Sequence, residues 1–512
     1  GGFKDECTDL SVAVPGGEIE IRRTFYENAW HWDHLRQALT VERDGLGRIA
    51  EIRKAGVPFE AEGGFDGELA ARYGQRTSCI TPQTDGFLWQ RAQGRWQRFD
   101  AQGRLTEYGP RTGTLARLHY PAAEAPGPSR ITTPDGATRI WFEYNPDGTL
   151  RSVRDAAGRT VRYEYDGGNL TRITNVVGDV FRCEYENGLL VREIGWDGTE
   201  THIEYDAQGR VQTLGEPGGD RFRYRYDYDK GRKEYYVQIE SPSGSVKELW
   251  FDSNGRVRRV DLDGERLFTL AADDHQTIIT DPQGRIQRKT YDEWGNLTGV
   301  VFPDGSSGSV TYTGPWHLPA VLKGPDGRET RLEYDEHGRL VRAVECAGTP
   351  VERTTEYDYT DNHLLRSVTH RGRTRDEDAT WSVERDANGN VTRMTSPGGR
   401  FYEFSDFTPT GGAGRIRDPR GNDWNFDFDA AGRIAAESNA DTGTTRYDYN
   451  GANAPVRVTD ALDHEVETTF AGGGSATSIR APGSTHRIEY GPNDGWVRSV
   501  LPDGSEALLE MD

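Results

Sequence analysis

The chain has 512 residues, with 83 Asp and Glu against 62 Lys and Arg and a net charge of −21, an acidic balance that argues against a nucleic-acid partner because phosphates select a basic surface. Hydrophobic residues are 34 % and Gly fills 62 positions, so a thick solid core is excluded. Aromatic residues at 10 %, set in phase with a repeat, exclude disorder in turn.

No window approaches the roughly 18 apolar residues of a membrane-spanning helix, and the opening Gly1-Gly2-Phe3-Lys4 has no signal-peptide core. Cys7, Cys79, Cys183 and Cys346 are far apart and lack CxxC or Cys/His spacing. Reduced, mostly buried thiols are expected rather than a zinc site or a disulfide framework.

Residues 1–127 are irregular but strand-like. Ile19, Ile21, Arg23 and Phe25 fall on one face of an alternating segment, with Glu18, Glu20, Arg22 and Thr24 on the other. The stretch Asn28 to His34 is dense in His and Trp, but without a third ligand at suitable spacing it reads as packed aromatics before a metal site. Ala122 to Pro128, rich in Pro, Gly and Ala, marks the start of regular repeats.

From Ile140 a short pattern recurs: Phe142-Glu143-Tyr144, Tyr163-Glu164-Tyr165-Asp166, Cys183-Glu184-Tyr185 and Ile203-Glu204-Tyr205-Asp206, each followed by a Gly-containing turn and an apolar return segment. The anchoring Tyr144, Tyr165, Tyr185 and Tyr205 lie 20 or 21 residues apart, a repeat-protein signature. The pattern resumes at Tyr291-Asp292 with Gly295 and at Tyr334-Asp335 with Gly338.

Each unit reads as a β-hairpin. Val161, Tyr163 and Tyr165 share one face of the first strand. The Asp side chain is placed to accept backbone N–H groups ahead of it, and Gly148, Gly209, Gly295 and Gly338 supply a positive φ where the chain turns back. The return segments carry apolar residues three apart, as in Leu150 and Val153 or Leu297 and Val300. They are too short for helices, so a bulge is predicted in each return strand.

Arg221 to Tyr228 interleaves bases with aromatics as a single-strand nucleic-acid platform would, yet the alternation puts Phe222, Tyr224, Tyr226 and Tyr228 on one strand face, as packing requires. The recurring aspartates lack the remaining oxygens of a calcium loop. No nucleophile elbow, P-loop or zinc-protease helix is present. The sequence therefore offers no catalytic, cofactor-binding or metal-binding residue and no required cofactor.

Tyr-Asp-x-x-Gly-Arg-Leu followed by a Pro-Asp-Gly turn, as at Tyr334 to Leu340 and Pro325-Asp326-Gly327, resembles the YD repeat of the Rhs family, which teneurins and the cocoon subunits of toxin complexes share. The resemblance covers roughly residues 131–504. It implies an all-β fold: a long antiparallel sheet of hairpins spiralling into a hollow shell, a partial or complete barrel. Residues 128–512 would be the hairpin array, and residues 1–127 would form or plug its start.

The same resemblance implies a structural, non-enzymatic role: enclosing a C-terminal toxin of the same precursor, made in a bacterial cytoplasm and delivered outward, with type VI secretion machinery or adaptors as further partners and bacterial competition as the setting. Asp281-Pro282-Gln283-Gly284 and Asp418-Pro419-Arg420-Gly421 lie inside the array and read as turns, not as the family's self-cleavage region. The repeat tyrosines, Tyr291 and Tyr334 included, are expected to stack in ladders. The alternative is a surface module binding glycans or a partner protein through Trp30, Trp32, Trp89, Trp96, Trp141 and Trp316.

Overall fold

A computed structural model describes residues 3–14, 17–36, 38–43, 49–54, 57–61, 69–71, 78–91, 94–110, 113–196, 198–215, 221–253, 255–273, 275–314, 316–361, 363–408, 411–450, 453–470, 476–490 and 496–510. These contain 48 strands, one four-residue helix and one 3-10 turn. Strands β1 (Asp5–Val14), β2 (Gly17–Tyr26) and β3 (Ala29–Trp32) form a separate antiparallel sheet, followed by α1 (Asp33–Arg36).

The other 45 strands, from β4 (Leu39–Arg43) to the strand Glu506–Glu510, belong to one sheet that curls into a barrel. Each pairs antiparallel with the next in chain order, as Thr160–Asp166 does with Asn169–Thr174. Among the described residues β4 pairs only with Ile49–Lys54 and the last strand only with Trp496–Val500. The wall therefore winds, and its turns stack: Gly198 and Thr199 line one cleft with Asp448, Asn450 and Phe470. Pairing also crosses the 122–128 connector, where Ala116–His119 joins Arg130–Thr132.

The bulge lies in the return strand. Tyr144 faces Leu150 but Glu143 faces Ser152, so Arg151 is the extra residue. That insertion lets Leu150 and Val153, three apart, both turn inward, at 1 % and 0 % exposure. The same shift recurs opposite Tyr165, Tyr185, Tyr205, Tyr291 and Tyr334. A bulge recurring in most hairpins adds twist along the sheet and curves it.

The sheet β1–β3 sits against the face of the wall that carries the repeat tyrosines. Ile19, Ile21 and Phe25 join Ile140, Phe142, Val153, Val161, Tyr163, Ile173 and Phe181 in one buried cluster. Trp32 meets Tyr163 edge-on at 5.2 Å, Trp30 meets Phe181 at 6.4 Å, and His34 lies over Phe142 at 4.5 Å. Each fully buried Ile, Leu or Phe is worth about 1.5–3 kcal/mol, so this contact is the thickest core of a thin-walled molecule. We call the three-stranded sheet the plug.

Candidate functional site

The repeats are joined by a polar linkage built from the turn outward. At Asp206, Oδ1 accepts N–H from Gln208 and Arg210, both at 2.9 Å, and Oδ2 accepts Arg210 Nε at 2.7 Å. Gly209 turns back at φ 73°. Asp335 with Arg339 and Asp429 with Arg433 repeat the arrangement.

The arginine so held covers a tyrosine ring of a neighbouring hairpin: Arg210 over Tyr226, Arg339 over Tyr359 and Arg433 over Tyr449, at 4.6, 4.9 and 4.7 Å. In the last two pairs the tyrosine hydroxyl donates to the carbonyl of the residue after that arginine, Leu340 (2.8 Å) and Ile434 (2.9 Å). Tyr205 to Leu190, Tyr312 to Leu297 and Tyr334 to Pro319 make the same bond. In all five the acceptor sits at the bulge of the preceding hairpin, where the ladder is interrupted and a carbonyl needs another donor.

The wall has two chemically different faces. Register partners share a face, so the tyrosine face can be followed through Tyr226, Val237, Leu249 and Val260, and later through Val383, Met394 and Tyr402. Under the plug it is buried. Further along it is uncovered: Trp381 is 42 %, Met394 46 %, Tyr402 47 % and Trp424 39 % exposed.

The opposite face carries ion-pair ladders, including Arg192 with Glu184 and Glu200, and Arg342 with Glu333. At the plug's edge Phe3 and Lys4 join Leu214, Tyr224, Tyr235 and Phe251 around a recess of about 630 Å³.

The most perturbed titratable groups gather at the plug seat. Asp9 accepts Arg23 Nε on Oδ1 and the Tyr163 hydroxyl on Oδ2, each at 2.9 Å, and both side chains of the ion pair are 0 % exposed. Arg23 also lies over Trp30 (4.2 Å) and Phe181 (4.6 Å). Burial raises the Cys7 and Cys183 thiols to about 12 and lowers His34 to about 3. These are signs of enclosure, and no group of three or more candidate metal ligands occurs among the described residues.

The sequence-predicted residues fall as follows. Gly148, Gly209, Gly295 and Gly338 all have positive φ. Asp206, Asp292 and Asp335 cap their turns through backbone N–H groups. Asp166 differs: it pairs with Asn169 across a two-residue loop in which Gly167 and Gly168 both have positive φ, the tight turn that two consecutive glycines permit.

Where tyrosine ladders are expected, the lateral contact seen at Tyr205 is its hydroxyl bond, and Tyr144 likewise donates to Pro128 O at 3.1 Å. A tilted tyrosine pair does occur, Tyr228 with Tyr235 at 4.6 Å and 45° between ring planes. Trp30 and Trp32, on plug strand β3, are buried against the wall, and Trp96 is tied to the Pro110 carbonyl. Sequence reading missed Asp9, Glu193 and the exposed stripe of Trp381, Met394, Tyr402 and Trp424. Arg23 was visible as a lone cation at a core parity.

The RHS Repeat family model matches residues 144–180, 272–307 and 428–465, the first of which opens at the Tyr144 hairpin. The chain carries RHS repeats at these three places. This RHS-repeat chain is 26 % identical over 335 residues to the Toxin protein Tse5 of Pseudomonas aeruginosa, covering 56 % of this chain and 24 % of that protein. It is 28 % identical over 183 residues to the Probable deoxyribonuclease RhsA of Dickeya dadantii, covering 35 % of this chain and 11 % of that one.

The chain thus aligns with a quarter or less of the curated relatives' length. A crystal structure of TcdB2-TccC3-TEV aligns with 98 % of this chain and 30 % of its own at 12 % identity, with a TM-score of 0.44. No described helix is long and apolar enough to cross a membrane.

Proposed function

We propose that this RHS-repeat chain is the wall of a toxin shell, a non-catalytic structure that encloses and shields an effector polypeptide of the same precursor until a bacterium delivers it. The observation that carries this reading is the asymmetry of the wall. One face is solvated by ion-pair ladders, while the tyrosine face is apolar, covered by the plug around Tyr163 and Phe181 and uncovered at Trp381, Met394, Tyr402 and Trp424. An uncovered apolar stripe is a liability on a free surface and marks a face that meets another polypeptide. Relatives named as a toxin and a deoxyribonuclease, each much longer than the matched segment, fit a wall that serves a separate effector.

The test is protease protection of the precursor. With the wall intact, the polypeptide downstream of residue 512 resists trypsin under native conditions and is digested once the wall is unfolded. Digestion at equal rates in both states rejects the enclosure reading.

A further inference from the structure

The seat of the plug has an uneven charge count. Arg23 contributes one positive charge, and two carboxyls are buried with it: Asp9 at 0 % side-chain exposure and, from the wall, Glu193 at 6 %. Both oxygens of Asp9 are occupied, one by Arg23 Nε and one by Tyr163, so Asp9 is the carboxylate that Arg23 neutralises. Glu193 Oε1 is enclosed without a hydrogen-bond partner.

Among the described residues, the other groups facing this cluster are Asp5 and Cys7 from β1 and Tyr163, Cys183 and Tyr185 from the wall, none of them a cation. A second ionised carboxylate here would be a buried charge without a counter-ion, which proteins avoid by taking up a proton. At the plug's other end His34 is buried against Phe142 with both ring nitrogens unpartnered, a position that holds the imidazole neutral.

We propose that the seat is a proton-binding site: the plug docks on the wall with Glu193 protonated, and docking weakens as that proton is lost. Burial first, then the negative charge of Asp5, pushes Glu193 up to about 8 against the pull of Arg23. Once the plug lifts, Glu193 meets water and returns toward the ordinary carboxylate value of about 4.3.

Between those values the docked state holds one more proton than the released state, so the docking constant falls about tenfold per pH unit as pH rises. His34 acts in the opposite sense. Neutral when docked, with its pKa lowered to about 3, it takes up a proton on release below about 6.5. The two slopes cancel from about pH 4.5 to 6.5, and above 6.5 Glu193 acts alone. From pH 6.5 to 8, with Glu193 half deprotonated at 8 and His34 half titrated at 6.5, the expected weakening is about 8-fold.

The chain carries its own reporters. Cys183 is buried on the wall beneath the plug, while Cys346 is part-exposed outside the plug core. Maleimide labelling of the full chain is read by mass spectrometry as the Cys183 to Cys346 ratio, which cancels the general pH dependence of thiol reactivity. The wild type is expected to show a rise of about 8-fold between pH 6.5 and 8, while Glu193→Gln and Glu193→Leu, both neutral, show no rise. A flat wild-type ratio, or the same rise in either neutral variant, overturns the proposal. Because the readout concerns the plug alone, its outcome is separate from whether the wall encloses an effector.

Discussion

Substituting Arg23 by Met keeps most of the side chain's length and its contact with Trp30 and Phe181, but removes the cation from the plug seat. Asp9 is left fully enclosed with the Tyr163 hydroxyl as its remaining partner. Breaking a buried ion pair from one side costs about 3–5 kcal/mol, because the surviving charge is uncompensated. Converted at 1.36 kcal/mol per decade, that is about 10²- to 10⁴-fold faster maleimide labelling of Cys183 when the plug opens.

Adding Asp9→Leu removes the stranded carboxyl, and replacement of a whole buried pair by apolar residues is close to neutral. The double variant should therefore recover most of the loss. The reasoning fails if Arg23→Met labels like wild type, or if the double variant is no better protected than the single.

Three further outcomes follow from the same contacts. Tyr359→Phe leaves the Leu340 carbonyl at its bulge without the hydroxyl donor and should cost about 1 kcal/mol; in a separate double-mutant cycle of Tyr359→Leu with Arg339→Met, read by denaturant melts, a coupling of about 0.5–1 kcal/mol is expected for the stacked pair. Gly209→Ala meets no atom within 4 Å, yet φ 73° is left-handed, so a loss of about 1–2 kcal/mol is expected from backbone conformation alone, with Gly209→Asn losing less. His34 has a folded pKa near 3, below its ordinary 6.5. Its stability contribution is complete above pH 6.5 and is lost as pH falls toward 3, so His34→Phe should unmask the Glu193 slope, with Cys183 labelling falling further between pH 6.5 and about 4.5 where the wild-type profile is flat.

Much of the wall was legible because its instructions are local. The period-two alternation in Val161, Tyr163 and Tyr165, the Asp and Gly of each turn, and the apolar spacing of three in Leu150 and Val153 each fix a feature within a few residues, and the bulge falls where that spacing demands it. What is not local was not legible. The acceptor of the Tyr359 hydroxyl is 19 residues upstream, and the arginine that covers its ring belongs to another hairpin.

The plug seat is more distant still: Asp9 and Tyr163 are 154 residues apart, and only the folded chain shows that Glu193 faces Arg23's side of the wall. Trp381 and Trp424 could be placed on strands, but their exposure depends on what covers the tyrosine face. The tryptophans most conspicuous in sequence, Trp30 and Trp32, are plug residues buried against the wall.

The central claim is that the apolar tyrosine face encloses a polypeptide, and the most direct measurement is a cryo-EM map of the precursor that includes the chain beyond residue 512. The account predicts a curved strand-built wall with polypeptide density inside it, touching the stripe of Trp381, Met394, Tyr402 and Trp424, and the plug seated over Tyr163 and Phe181. A map with the downstream polypeptide folded outside the wall, leaving that stripe bare, would contradict it.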